Sequence, residues 1–573
     1  MKRINKFSLL WPEGIDPEKY ANQEKLSQRC VANLGLDMIA RELSYDEKHY
    51  YKVKKLMLNL CDNPEVISYR LDILQDFVRN PELAAGLREI FEYIEQIRHY
   101  KQPGKKLSAD NYQAVAWRLR MLDIYVTCMQ MLNSLIQDKA NNFKSTGLQK
   151  LSQYLKNMVE SDLFQNLNEK LPDLRARFAN LSCVTIGINL NARLEPEEAI
   201  FLSVEKKPFI KRSFLSRLFN RDSNQDKIHG VSQFQNILSR DKEVTQLQLG
   251  IFRELNDVFQ KVLTPIEKTI SRFINYRESV LIKWRREFSF YIGCTRFIKK
   301  MRDQGLAMCK PQVIIPGKRK TKIQDLTDLT LALGLMEEAD KEDKQIKLGA
   351  EIVPNDLRFD DQGRIYILTG PNQGGKTTFT RAVGIAQVLL QMGMYVPGSK
   401  GALSPVDWIH THFTEEEKPQ VKDGRLGEES RRLSEIFYKA TPYSLLLLNE
   451  SLSSTSPGEG LYLLKNIIKG IKSLRSRAIF TTHLHSLAEI ISEINEEVDT
   501  DSKVDSLVAE VERSEDEKIE AKRTFKIKSK KPQGKSYARD VAYKYGISYE
   551  QILQTIRNRG SVRKDITDGT SGG

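Results

Sequence analysis

The 573-residue chain is 40% hydrophobic and 29% charged, with 89 Lys and Arg against 75 Asp and Glu and a formal net charge of +14. It is too long for one hydrophobic core, which predicts three or four domains of about 100–200 residues, and no apolar run approaches the roughly 18 residues that span a bilayer. The start MKRINKFSLLWPEG has only a two-leucine apolar core and no small-residue cleavage site, so a cytoplasmic protein with no membrane partner is expected.

From about residue 20 to 180 the pattern is helical. Leu87, Ile90, Phe91, Ile94 and Ile97 recur at helical spacing, as do Leu148, Leu151, Leu155 and Met158, and 112–132 reads as a further long helix. The character changes at 181–204, where two β-branched runs flank a polar, Pro-containing stretch and predict a β-hairpin between helices. Residues 206–221 then carry six basic residues and no acidic one, interleaved with Phe209, Phe214 and Phe219. Such a segment could touch phosphates and stack on bases, and equally could be a loop that packs its phenylalanines. Helical periodicity returns over 232–306, with a second basic cluster at Lys283, Arg285, Arg286, Arg296, Lys299, Lys300 and Arg302, and 315–325 reads as a loop or linker. The positive charge fits a polyanionic partner through counterion release, although Lys and Arg are interspersed with acidic residues, as on a solvated surface. The six cysteines stand singly, without a CxxC pair or a His at ligand spacing, which predicts reduced packing residues and no cysteine metal site.

The strongest local signal is Gly370-Pro371-Asn372-Gln373-Gly374-Gly375-Lys376-Thr377, which fills the GxxxxGK[ST] phosphate-loop pattern and continues into Thr378. An apolar strand pattern at 364–369 precedes it, and a helical pattern closed by Gly393 follows it. Backbone N–H groups of such a loop and of the helix start wrap phosphates, Lys376 reaches the β and γ oxygens, and Thr377 would ligate Mg²⁺. These residues therefore predict ATP and Mg²⁺ as ligands. The apolar run 443–448 ends in Asn449-Glu450, the layout of a Walker B strand, with Glu450 placed to polarise an attacking water. A third apolar strand delivers His483, which stands where a γ-phosphate could be sensed, although a lone His is more often structural.

The residues now in view resemble the MutS mismatch-repair family, over about 200 residues. VPND at 353–356, TGPNQGGKTTFTRAVG at 369–384, MYVPG at 394–398, YSLLLLNESLSSTSPGEGL at 443–461 and TTH at 481–483 all look like that family's ATPase domain. So does GKSYARDVAYKYGISYEQILQTIRNR at 534–559, similar to its closing helix pair. A looser likeness rests on RLDILQDFVRNPEL at 70–83. The resemblance implies a multidomain protein: a mostly α-helical core and lever over 1–180, a β insertion with a basic loop over 181–231, and returning lever helices and linker over 232–325. An α/β ABC-type P-loop ATPase domain would follow over 326–560, with a disordered tail at 561–573. It also implies a homodimer, or a heterodimer with another MutS-like chain, that shares composite ATP sites and binds duplex or branched DNA in repair or recombination.

Three departures from the family pattern shape the expectation. The chain begins at the helical core, so the family's Phe-x-Glu mismatch wedge is expected to be absent, and FRE at 252–254 sits in a helical pattern. Asn449 stands where the family has a Walker B Asp; it would meet Mg²⁺ only through water, and slow hydrolysis is expected. GRLGEESRRLSEIF at 424–437 lacks the usual Ser after GR, which leaves Gly427, Glu429 or Ser430 to make the contact across the dimer, alongside Thr455 and Ser456. The position where the family carries an adenine-stacking aromatic is Ile352. The expected activity is that of an ATP-gated DNA clamp, with Glu450 and His483 at the reacting end. The alternative is a degenerate ATP-binding subunit that pairs with a more active partner.

Overall fold

Parallel strands covered on both faces are near-continuous apolar runs, and the computed structural model has three such stretches among the strands of its main sheet. It describes residues 7–21, 23–99, 112–179, 183–194, 196–205, 278–414, 424–452, 457–512, 522–531, 549 and 551–555. The chain divides into two compact units, one comprising 1–5 and 79–288 and the other 6–78 and 289–573.

In chain order the first helices are α1 (Glu18–Ala21), α2 (Gln28–Asn33), α3 (Leu36–Leu43), α4 (Glu47–Leu58) and α5 (Pro64–Arg79). Polar caps set two of their starts: Ser27 Oγ accepts from Cys30 N, and Asp46 accepts from His49 N. Next come α6 (Glu82–His99), α7 (Tyr112–Gln137), α8 (Thr146–Val159) and α9 (Asp162–Ala179). Their periodic residues form the core of the first unit, with Leu87, Phe91, Leu122, Val126, Leu151 and Phe164 all buried. The expected hairpin follows as β1 (Cys183–Leu190) and β2 (Pro196–Glu205), paired antiparallel. Helix α10 (Glu278–Asp303) carries the second basic cluster, four of whose seven residues make the following contacts within the chain. Arg285 is buried against Glu95 at 2.5 Å. Arg296 donates to the carbonyls of Glu42 and Ser44, Lys300 pairs with Glu42, and Arg302 donates to Met308 O. The basic segment 206–221, the pattern over 232–277 and most of 534–559 lie outside the described residues.

The second unit continues with β3 (Met308–Cys309), β4 (Gln312–Val313), β5 (Thr321–Leu326), α11 (Leu329–Lys341), α12 (Leu348–Glu351), β6 (Asn355–Phe359), β7 (Ile365–Thr369) and α13 (Lys376–Met392). After these come β8 (Val396–Pro397), β9 (Lys400–Leu403), β10 (Ile409–Phe413), α14 (Gly424–Lys439), β11 (Leu445–Asn449), α15 (Pro457–Leu474), β12 (Arg477–Thr481), α16 (His485–Glu489), α17 (Ile491–Glu497), β13 (Val504–Glu512) and β14 (Lys522–Ser529). The main sheet has the order β10-β11-β12-β7-β13-β14; its first five strands are parallel, and β14 returns antiparallel at one edge. A four-stranded sheet, β4-β9-β5-β6, holds part of the stretch that reads as a linker. Composition hides this strand because Lys322 and Asp325 face outward while Thr321, Ile323 and Leu326 are buried. No described helix is long and apolar enough to cross a membrane. Cys30, Cys61, Cys128 and Cys294 are free and buried, as packing residues should be.

Helix α13 is the centre of the second unit, and every residue from Ala382 to Met392 is buried. Gln391, wholly buried, donates to Leu60 O, Cys61 O and Val406 O and accepts from Val406 N, so one amide joins the start of the chain to the sheet. Gly393 caps the helix at φ 79°, where a Cβ would fall 2.3 Å from Arg70 Cβ. Arg70 is itself buried, donates to Leu10 O and lies over the Trp11 ring.

Two predictions follow from this packing. A Cβ at Gly384 would fall 2.6 Å from Leu34 Cδ2 and 2.8 Å from Leu447 Cδ1, so Gly384→Ala should destabilise the chain by about 1–3 kcal/mol, read as a lower denaturant midpoint. Burial pulls the His410 pKa from 6.5 down to about 4, so between those values the unfolded chain binds the proton that the folded chain refuses. The stability linked to His410 is therefore complete above pH 6.5 and lost as pH falls towards 4, and His410→Phe should flatten that part of a stability–pH curve.

Candidate nucleotide-phosphate site

The site gathers at the carboxyl ends of β7, β11 and β12, where open parallel sheets place their ligands. After Thr369 the chain turns through 370–375 into the start of α13. Gln373 and Gly375 take left-handed backbone at φ 59° and 86°, and Gly370 at φ 146° lies so close to β13 that a Cβ would fall 2.6 Å from Ala509 Cβ. This bend aims the first turn of α13, with its N–H groups and the positive end of the helix dipole, into the loop's hollow.

Lys376 is buried, and its Nζ donates to Gly370 O at 3.1 Å and Pro371 O at 2.9 Å. Its nearest carboxylate is Glu450, 3.9 Å away. Burial lowers its pKa and Glu450 opposes the shift. An ammonium held by carbonyls at the rim of a glycine loop fits an anionic oxygen ligand. The nine residues from Gly370 to Thr378 thus form one loop and helix start, as the motif predicts.

Beside Lys376, Thr377 Oγ1 donates to Asn449 Oδ1 at 3.1 Å, and Thr481 Oγ1 donates to the same oxygen at 2.6 Å. Asn449 is buried, so its neutral amide fixes both hydroxyls. No group of three or more His, Cys, Asp or Glu among the described residues could hold a metal ion alone. The oxygens of Thr377 and Asn449 are hard ligands of the kind a hydrated divalent ion would take.

Glu450 follows Asn449 with φ 53°, and its N–H donates to Thr481 O at 3.0 Å. Its Oε1 lies 2.8 Å from His483 Nε2. That hydrogen bond lowers the Glu450 pKa, burial opposes, and the charge of Lys376 adds to the lowering, so the carboxylate is ionised at neutral pH. The structure thus couples Glu450 and His483 directly.

On α14, Ser430 is exposed and Gly427 half-buried, whereas Glu429 is buried with its Oε2 2.7 Å from Leu452 N. Thr455 and Ser456 lie outside the described residues. Ile352 is buried. The aromatic ring beside the loop is Phe525 on β14, 45% exposed, and its Cδ1 is 3.6 Å from where a Gly375 Cβ would stand. Asn355 holds this strand by donating to Phe525 O and accepting from Ile527 N, and Arg523 donates to Gln373 Oε1 at 2.8 Å. Neither Phe525 nor Arg523 stands out in the sequence, because the short basic stretch KRTFKIKS of β14 carries no motif.

The MutS2 N-terminal domain matches residues 62–304 and MutS domain V matches residues 366–560. The DNA mismatch repair protein MutS of Clostridium perfringens is 36% identical over 149 residues, 25% of this chain and 16% of its own length. Endonuclease MutS2 of Thermus thermophilus is 32% identical over 137 residues, 24% of this chain and 18% of its own. The human DNA mismatch repair protein Msh6 is 30% identical over 154 residues, 25% and 11% of the two chains. The matched part is therefore less than a fifth of each of these relatives. Two domain matches on either side of β5, and a glycine loop and Asn-Glu strand end inside the second, place this chain in the MutS family.

Proposed function

We propose that the chain binds and hydrolyses ATP in an ABC-type P-loop domain over about 326–560, and uses that cycle to open and close a dimeric clamp on duplex or branched DNA in repair or recombination. The observation that carries the reading is the convergence of Lys376, Glu450 and His483 on the glycine loop. The loop N–H groups and Lys376 hold the phosphates. Lys376 stabilises charge on the transferred group, and the ionised Glu450, steadied by His483, orients the attacking water. Thr377, with Asn449 behind it, would hold hydrated Mg²⁺, which would supply positive charge against the phosphates. Phe525 offers a ring face to the base, and the relatives' printed roles in DNA mismatch repair support DNA as partner.

Lys376→Ala is expected to weaken ATP binding at least tenfold in a titration, whereas Glu450→Gln keeps ATP affinity and loses at least a hundredfold in steady-state turnover. Binding to labelled single-stranded, duplex, mismatched and four-way-junction DNA, with and without ATP–Mg²⁺ over a salt series, tests the clamp: ATP-dependent, salt-sensitive binding to one structure is expected. Absence of DNA binding in every condition would overturn it.

The second reading, an ATP-binding subunit that hydrolyses poorly, is favoured by Asn449, whose amide supplies no negative charge beside Thr377. On that reading Asn449→Asp raises turnover at saturating Mg²⁺; unchanged or lower turnover counts against it.

A further inference from the structure

We propose that Glu429 is a positioning residue for Glu450 within its own chain, acting through the turn that follows the Asn-Glu strand end. The inference rests on the reading of Glu450 as the residue that orients water. Two non-glycine residues of this turn, Glu450 at φ 53° and Leu452 at φ 58°, are in the left-handed region, and each costs on the order of 1–3 kcal/mol unless its surroundings hold it there. Three contacts brace the turn. Glu429 Oε2, on a buried side chain of α14, accepts from Leu452 N at 2.7 Å. His412 Nδ1, on β10, lies 2.7 Å from Ser451 Oγ, and both side chains are buried. Thr414 Oγ1 donates to Asn449 O at 3.3 Å. The Glu429 contact is the charge-assisted one, and it fixes the backbone two residues after Glu450. Helix α14 therefore meets the reacting end from behind, and a movement of α14 would be felt at the Glu450 carboxylate before it reached the phosphate loop.

The test is steady-state ATP hydrolysis by the full chain. Glu429→Ala should lower kcat at least tenfold and leave KM for ATP within twofold, because the loop contacts of Lys376 lie elsewhere. Glu429→Gln, which keeps an acceptor oxygen, should recover part of the lost kcat, and it carries the test alone if the alanine variant does not fold. Equal mixtures of Glu429→Ala and Lys376→Ala chains should turn over no faster than the Glu429→Ala chain alone, since neither chain then has both an intact loop and a held turn. Recovery of turnover on mixing would show Glu429 serving the partner's site and overturn the proposal. So would unchanged kcat in Glu429→Ala, or a loss of ATP affinity equal to the loss of kcat, in an assay where Glu450→Gln is inactive. Full turnover by Glu450→Gln would instead remove the reading on which the proposal stands.

Discussion

Burial of helix α13 on all sides is the constraint on which the second unit depends. Its first residue supplies the ammonium of the candidate site, its middle presses Gly384 between Leu34 and Leu447, and its last turn is closed by Gly393 under Arg70. A helix enclosed in this way cannot tilt without opening contacts along its whole length, since packed interiors tolerate little change in shape. Its N-terminus is consequently a fixed point, against which the ends of β11 and β12 bring their side chains.

That arrangement divides the site into a rigid and a strained half. The loop side is set by glycines and by close approach to Ala509. The Glu450 side is set by left-handed residues whose geometry is held by neighbours on β10, α14 and β12. On the proposed function, binding and chemistry would draw on separate parts of the fold, the second of them built from side-chain contacts.

The loop, its flanking strand and helix, and the strands ending at Asn449 and Thr481 were legible in the sequence because each is local: a glycine spacing, a short apolar run, a capping glycine. The hairpin at 183–205 was legible for the same reason. What was hidden is long-range. Residues from about 20 to 78 read as helical like those after them, yet belong to the compact unit that holds the sheet, and periodicity says only that a face is buried, never against what. Strand β5 was masked by the charge on its outer face. His412 and Phe525 reach the site through the tertiary fold alone, and no spacing along the chain announces them; Glu429 was named from the sequence, but for a contact across a dimer and not for its bond to Leu452 N. The basic cluster of α10 likewise showed only its charge in the sequence, and not that Arg296 and Arg302 also donate to carbonyls of the chain.

The joint made by Gln391 is an amide meeting carbonyls and a backbone N–H, with no formal charge anywhere in it. Ionic strength, which weakens contacts between exposed charges and polyanions, has almost nothing to act on at such a joint, and neither does pH across the range where carboxylates and imidazoles titrate. The attachment of the chain's beginning to its central helix is therefore insulated from the solution variables that govern a charged surface. Exposed lysines and arginines can thus be exchanged without loosening this joint.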